Sequence, residues 1–149
     1  MQDDIDLGPL ATMDGVESLS RQVESSTRAG AKVLIGGGRL ASSQYFAPTV
    51  LTDISPGSPA YAEELFGPVA ALFKVRDLDA AIKLANDTPY GLASSVWTND
   101  ADEQGRCALE IEAGQTFFNT MSASDPLIQC DRTNTVHRQS CEVRRTLGR

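Results

Sequence analysis

The sequence predicts an α/β fold, a parallel sheet flanked by helices, followed by an irregular C-terminal tail. Three observations carry that expectation. Across residues 69–119 short apolar runs alternate with helix-periodic stretches in the order strand, helix, strand, helix, strand, the pattern of parallel βαβ units. Each helical stretch follows an aspartate able to cap it: Asp14, Asp77 and Asp100. Near residue 127 hydrophobic periodicity stops and the charge reverses. Residues 1–128 carry 8 Lys+Arg against 18 Asp+Glu, whereas residues 129–149 carry five Arg and two acids.

Residues 1–12 form an acidic entry that ends in the turn signal Gly8-Pro9. Residues 14–29 read as a helix with Asp14 as N-cap and Glu17 at capping-box spacing. Val16, Leu19 and Val23 mark its apolar face, and Gly30 ends it. Lys32–Ile35 is a short apolar strand. Gly36-Gly37-Gly38 could cradle a phosphate only with a helix opening directly after it, which Arg39 to Gln44 does not resemble, so a flexible turn is expected. Phe46–Leu51 reads as a second strand, with Pro48 favouring an edge position. A loop rich in Ser, Pro and Gly follows over residues 55–59.

Val69–Val75 is the next strand. Asp77 caps a helix whose Leu78, Ala81, Ile82 and Ala85 recur at helical spacing, and Thr88-Pro89-Tyr90-Gly91 stops it. Leu92–Thr98 is a strand. Asp100 with Glu103 gives a second capping box, opening a helix that runs to Gly114 with Cys107, Ala108 and Ile111 on one face. Gln115–Asn119 closes the alternating run. No internal repeat is present.

The totals exclude several function classes. A chain of 149 residues, 41% hydrophobic and 22% charged, suits a globular domain with a real core. A net charge of −7 argues against nucleic acid or an anionic membrane surface as partner, and the five Arg of the tail form too modest a patch, without aromatics, to change that. No apolar run approaches the ~20 residues of a membrane span. The N-terminus lacks the basic and apolar segments of a signal peptide. Three cysteines without framework spacing fit a reducing, cytoplasmic setting. Cys107, mid-helix beside core positions, reads as structural. Cys130, His137 and Cys141, with Asp131, match no zinc module, so no metal site is expected.

The stretch with chemical content is Tyr61-Ala62-Glu63-Glu64-Leu65-Phe66-Gly67-Pro68-Val69. Two readings are open. In one, Glu63 and Glu64 are solvated carboxylates in the first turn of a short helix, with Phe66 plugging the core. Alternatively a carboxylate and a ring are presented together on a loop before a strand. A carboxylate there accepts two hydrogen bonds from the vicinal hydroxyls of a ribose, and the ring packs beside a flat heterocycle.

Glu63 to Val69 resembles a signature of the NAD(P)-dependent aldehyde dehydrogenase superfamily. Other similar pieces stand in the family's order: Asp6-Leu7-Gly8-Pro9-Leu10, Tyr45-Phe46-Ala47-Pro48-Thr49-Val50-Leu51, Asn86 through Tyr90-Gly91-Leu92, and Ala113-Gly114 followed by Asn119. The resemblance implies NAD or NADP as cofactor, with Glu64 on the nicotinamide ribose and Phe66 along the nicotinamide. Residues 119–126 are most similar to succinate-semialdehyde dehydrogenases. They imply a small-molecule aldehyde substrate lined by Asn119 and Ser124, whose hydroxyl would bond a substrate carboxylate.

The family's nucleophilic cysteine, its base, its oxyanion-stabilising Asn and its dinucleotide-binding domain lie upstream of the Asp-Leu-Gly-Pro element. Its Pro-Phe-Gly-Gly-x-Lys-x-Ser-Gly element, expected after Pro126, is replaced here. Residues 1–126 are therefore expected to be a partial aldehyde dehydrogenase catalytic domain, and residues 127–149 a divergent basic tail. The chain is expected to contain no catalytic residue of its own and to be inactive alone. The alternative is a non-catalytic remnant or interaction module that retains the fold and associates with a full-length homologue or with itself.

Overall fold

The computed structural model describes residues 7–40, 44–123, 129–130 and 141–142. Two compact units divide the chain, Met1–Lys74 and Val75–Arg149.

The first unit is built on helix α1, Met13–Arg28. Its N-cap is Thr12, not Asp14: the Thr12 hydroxyl accepts from the Gly15 amide at 3.1 Å. The expected cap fails because Thr12 already reaches the third helical amide. Asp14 falls inside the first turn, where its charge favours the helix dipole. Val16, Leu19, Val23 and Ser26 form the buried stripe. Beyond the helix Gly30 takes φ +110°, and the Gly30 and Ala31 amides bond back to Thr27 and Ser26 carbonyls at 3.0 Å, closing the helix with a left-handed residue.

Strands β1 (Lys32–Ile35), β2 (Thr49–Thr52) and β3 (Val69–Ala71) form one sheet in that order, β1 antiparallel and β3 parallel to β2. The expected edge position of the second strand is overturned, since β2 is central. Pro48 stops just short of it, so the missing N–H removes nothing from the ladder. The glycine run makes the reversal between β1 and β2. Gly36 has φ +70°, and a Cβ there would lie 2.2 Å from the Pro48 carbonyl oxygen. The Gly37 amide donates to Thr49 Oγ1 at 2.8 Å, so one amide of the run is bonded within the turn, and no helix follows. A short helix α2, Pro59–Ala62, lies in the parallel crossover from β2 to β3. The core joins Val16, Leu19 and Val23 to Ala31, Phe46, Leu51, Ile54 and Ala60, with Leu10, Tyr61, Leu65, Val69 and Phe73 packed against it. Tyr61 and Phe73 meet edge to face at 5.9 Å.

The second unit contains α3 (Leu78–Asn86), β4 (Ser94–Val96), α4 (Ala101–Glu110) and β5 (Thr116–Phe118). β4 and β5 pair in parallel across α4, the expected βαβ unit. Within the first unit β3 pairs with β2. Asp77 caps α3 by accepting from Ala80 N at 2.8 Å. Asp100 caps α4 by accepting from the Asp102 and Glu103 amides. The capping box closes through Thr98, whose hydroxyl accepts from Asp100 N and donates to the Glu103 carboxylate.

Helix α4 ends at Glu110, short of the expected Gly114, and Ile111 turns extended with ψ 123°. Asn86 explains the early stop: its side chain donates to the Glu110 carbonyl at 2.7 Å and accepts from Glu112 N at 2.8 Å. Of the expected face only Cys107 is buried, while Ala108 is exposed and Ile111 lies beyond the helix. Farther along, β6 (Gln129–Cys130) and β7 (Cys141–Glu142) pair antiparallel.

Candidate functional site

Helix α2 stops after Ala62, and Glu63 takes extended angles of φ −116° and ψ 157°. The two carboxylates therefore follow a helix rather than open one. The chain then alternates: Leu65 packs against the core while Glu64 and Phe66 face solvent. Phe66 is 76% exposed, which overturns the core-plug reading. A tight reversal follows, with Gly67 N bonded to the Leu65 carbonyl at 2.9 Å and Val69 N to the Gly67 carbonyl at 2.8 Å. Thr49 N then bonds the Pro68 carbonyl at 2.8 Å, joining the motif to β2.

Helix α1 fixes this loop from one side. Gln22 Nε2 donates to Glu63 Oε2 at 2.8 Å and to the Glu64 carbonyl at 3.2 Å. Ser26, fully buried, accepts from Ala60 N at 2.8 Å. Gly67 sits so close to Leu19 that a Cβ would lie 2.4 Å from Leu19 Cδ2. One carboxylate, that of Glu63, is consumed by the scaffold. The Glu64 carboxylate has no partner among the described residues, so its oxygens remain open as acceptors. Neither Gln22 nor Ser26 stands out in the sequence. The only available signal is their spacing, since Leu19, Gln22 and Ser26 lie three and four residues apart and share one helix face.

The second unit places Asn119 just past β5, at φ +54°. Its amide closes a ring with the Thr98 backbone, accepting from Thr98 N at 3.1 Å and donating to the Thr98 carbonyl at 3.0 Å. It stands at the carboxyl ends of two parallel strands, where open α/β sheets bind ligands. One N–H and one lone pair of the amide stay available. Ser124 lies outside the described residues, as do the side chains of Cys130, Asp131, His137 and Cys141. Among the described residues no group of three His, Cys, Asp or Glu could hold a metal ion, and no helix is long and apolar enough to cross a membrane.

Cys107 is 2% exposed. Burial pushes its thiol above the ordinary range, and the charge of Glu103 adds to that. A thiol in these surroundings is not an activated nucleophile.

The sequence profile of the aldehyde dehydrogenase family matches residues 1–130. The chain belongs to the aldehyde dehydrogenase family. A succinate-semialdehyde dehydrogenase [NADP(+)] of Mycobacterium avium is 48% identical over 122 residues, covering 81% of this chain and 26% of its own length. Among solved structures, aldehyde dehydrogenase 21 of Physcomitrella patens, in complex with the reaction product succinate, superposes with a TM-score of 0.80 at 31% identity, over 87% of this chain and 27% of its own. A succinate-semialdehyde dehydrogenase of Burkholderia pseudomallei gives a TM-score of 0.79 at 33% identity, over 85% of this chain and 26% of its own. The chain thus spans about a quarter of the length of the relatives it matches. The resemblance read from Glu63 to Val69 is borne out, and so is the α/β fold of a partial aldehyde dehydrogenase domain.

Proposed function

We propose that residues 1–126 are part of the catalytic domain of an aldehyde dehydrogenase that oxidises succinate semialdehyde with NADP or NAD, with residues 127–149 a divergent tail. The observation that carries this reading is the pairing of an exposed ring with a partner-free carboxylate on a braced loop. Glu64 offers two oxygens to the vicinal hydroxyls of the nicotinamide ribose. Phe66 offers a flat apolar face to the nicotinamide and keeps water from one side of it. The bound nicotinamide supplies the hydride acceptor. In the second unit, Asn119 has one N–H left for a substrate oxygen, and Ser124 supplies a hydroxyl for a substrate carboxylate. The relatives' names support succinate semialdehyde as substrate and NADP as cofactor.

The chain alone is inactive on this reading. Aldehyde oxidation in the family needs a thiolate within bonding reach of the carbonyl, and the one described cysteine side chain, Cys107, is buried and protonated at neutral pH. Glu64 and Phe66 hold one end of a dinucleotide. Two contacts do not offset the ~4 kcal/mol or more lost in association, so affinity is millimolar or weaker. The test is to incubate the purified chain with succinate semialdehyde and NADP or NAD and to follow reduced cofactor by absorbance. No rate above background is expected. A rate that co-purifies with the chain and vanishes in Cys107→Ala would overturn the inactivity and the structural role of Cys107 together.

A second reading, a non-catalytic module that binds a full-length homologue or itself, is favoured by exposed apolar side chains, among them Leu34, Ile35, Leu72, Trp97 and Leu109. Light scattering separates it: this reading requires self-association or capture of the homologue, and a monodisperse monomer that ignores the homologue contradicts it.

A further inference from the structure

Three residues of α1 meet the segment carrying Glu64 and Phe66 in antiparallel order. Leu19 touches Gly67, Gln22 bonds Glu63 and the Glu64 carbonyl, and Ser26 bonds Ala60. Beyond them Ser55 Oγ donates to the Ala29 carbonyl at 3.2 Å, extending the same seam. The spacing is that of one helix face, so the seam is rigid as long as α1 is. Leu19 and Ser26 anchor its buried ends. At its centre Gln22 hydrogen-bonds the loop between α2 and the Gly67 reversal, with one nitrogen bridging two oxygens of consecutive residues.

We infer that Gln22 is a positioning residue for the cofactor contact, holding the Glu63–Phe66 loop so that the Glu64 carboxylate and the Phe66 ring both face outward. The inference rests on the reading of Glu64 and Phe66 given above. Its logic is local. The Glu64 peptide is pinned by its carbonyl, and Leu65 is drawn into the core. With both neighbours fixed, alternation of the extended chain directs Glu64 and Phe66 away from the core. Gln22 also occupies Glu63, so that Glu64 is the carboxylate of the pair left for a ligand. Removing the bridge leaves α1 and the core intact, because Leu19, Val23 and Ser26 do not depend on it. What is lost is the order of the loop.

The test is made on the ¹⁵N-labelled full chain by NMR relaxation, comparing the native chain with Gln22→Leu and Gln22→Lys. Gln22→Leu removes the donor. Gln22→Lys restores one, as an ammonium that reaches the same two oxygens. In the native chain the amide order parameters of Glu64, Leu65 and Phe66 are expected near about 0.85. In Gln22→Leu they are expected to fall below about 0.6, with the amides of α1 and β2 unchanged, and in Gln22→Lys they recover. A fold-wide loss of stability would instead lower order throughout the first unit and would not be rescued by lysine. Should Gln22→Leu not fold, Gln22→Met removes the donor at nearly constant size, without adding a charge beside Glu63, and is read the same way. Unchanged order at residues 64–66 in the donor-less variant overturns the inference. Titration with nicotinamide mononucleotide then separates the two claims. If the native loop is ordered by Gln22 but Glu64 and Phe66 resonances do not move with the mononucleotide, the cofactor reading fails while the positioning role stands. If they move, Gln22→Leu should raise the apparent Kd in proportion to the loss of ordered loop, about tenfold where only about one tenth of the molecules keep it in place.

Discussion

Gly67→Ala isolates the contact on which the motif turns. Gly67 is not among the glycines with positive φ, so alanine suffers no backbone penalty there. The whole effect is steric: the added Cβ would lie 2.4 Å from Leu19 Cδ2 and 3.4 Å from Leu10 Cδ2. Leu19 is 1% exposed and sits in the core stripe of α1, so it cannot swing into solvent to make room. Overpacking of this kind costs about 1–3 kcal/mol. At roughly 2–4 °C per kcal/mol for a chain of this size, Tm should fall by about 2–12 °C. The assay is thermal melting followed by circular dichroism, repeated in a Leu19→Ala background. Leu19→Ala alone should cost about 2–5 kcal/mol, and in that background the second substitution should cost little, because its methyl enters vacated space. Such a non-additive cycle is the signature of a direct contact. A Gly67→Ala protein that melts with the native chain, or that loses the same amount with and without Leu19, would refute the reasoning.

Further outcomes follow from the second unit. Asn86→Ala removes both bonds that stop α4 and leaves a carbonyl and an amide without their partner, so urea denaturation should show a loss of about 1–3 kcal/mol. An unchanged midpoint would mean that water replaces the side chain without cost. Arg106 bridges Asp79 and Glu110, each at 2.8 Å, and its hydrogen bonds hold the Glu110 carboxyl below the usual carboxylate range. A depressed folded pKa contributes stability that is present above the unfolded value and lost as pH falls through the folded one. Arg106→Ala should therefore raise the Glu110 carboxyl titration seen by NMR and flatten the acid limb of stability against pH; an unmoved titration would contradict the bridge. Cys107 should resist iodoacetamide in native buffer and react in urea when its peptide is followed by mass spectrometry, and equal rates in the two conditions would contradict its burial.

The elements that rest on local chemistry were legible in the sequence. Asp77 and Asp100 cap the helices they were expected to cap, because aspartate before an apolar-periodic run leaves the orphan amides few alternatives. Glu64 and Phe66 stood out together in the sequence, though composition alone did not decide whether the ring is buried or exposed. Their exposure comes from Leu65, which takes the core position between them, and from α1, which is remote in sequence. Pro48 misled because its penalty applies within a ladder, and the ladder begins one residue later. The end of α4 was hidden because Asn86, 24 residues from Glu110, supplies the stop. Thr12 displaced Asp14 as cap because both residues are competent, and the choice depends on where the chain enters the helix.

The central claim is that Glu64 grips the nicotinamide ribose, and it is tested most directly in a complete enzyme. Residues 1–126 can replace the matching segment of the Mycobacterium avium relative, and Glu64→Gln can be introduced into that chimera. The change keeps size while removing charge from the acceptor, and a charge-assisted bond of about 1.5–3 kcal/mol corresponds to roughly a 10- to 150-fold effect on the step it supports. Single-turnover kinetics with succinate semialdehyde and NADP should show hydride transfer slowed by that factor and thioester hydrolysis much less affected, because only the former needs the nicotinamide held in line. A hydride-transfer rate equal to that of the unsubstituted chimera would contradict the assignment.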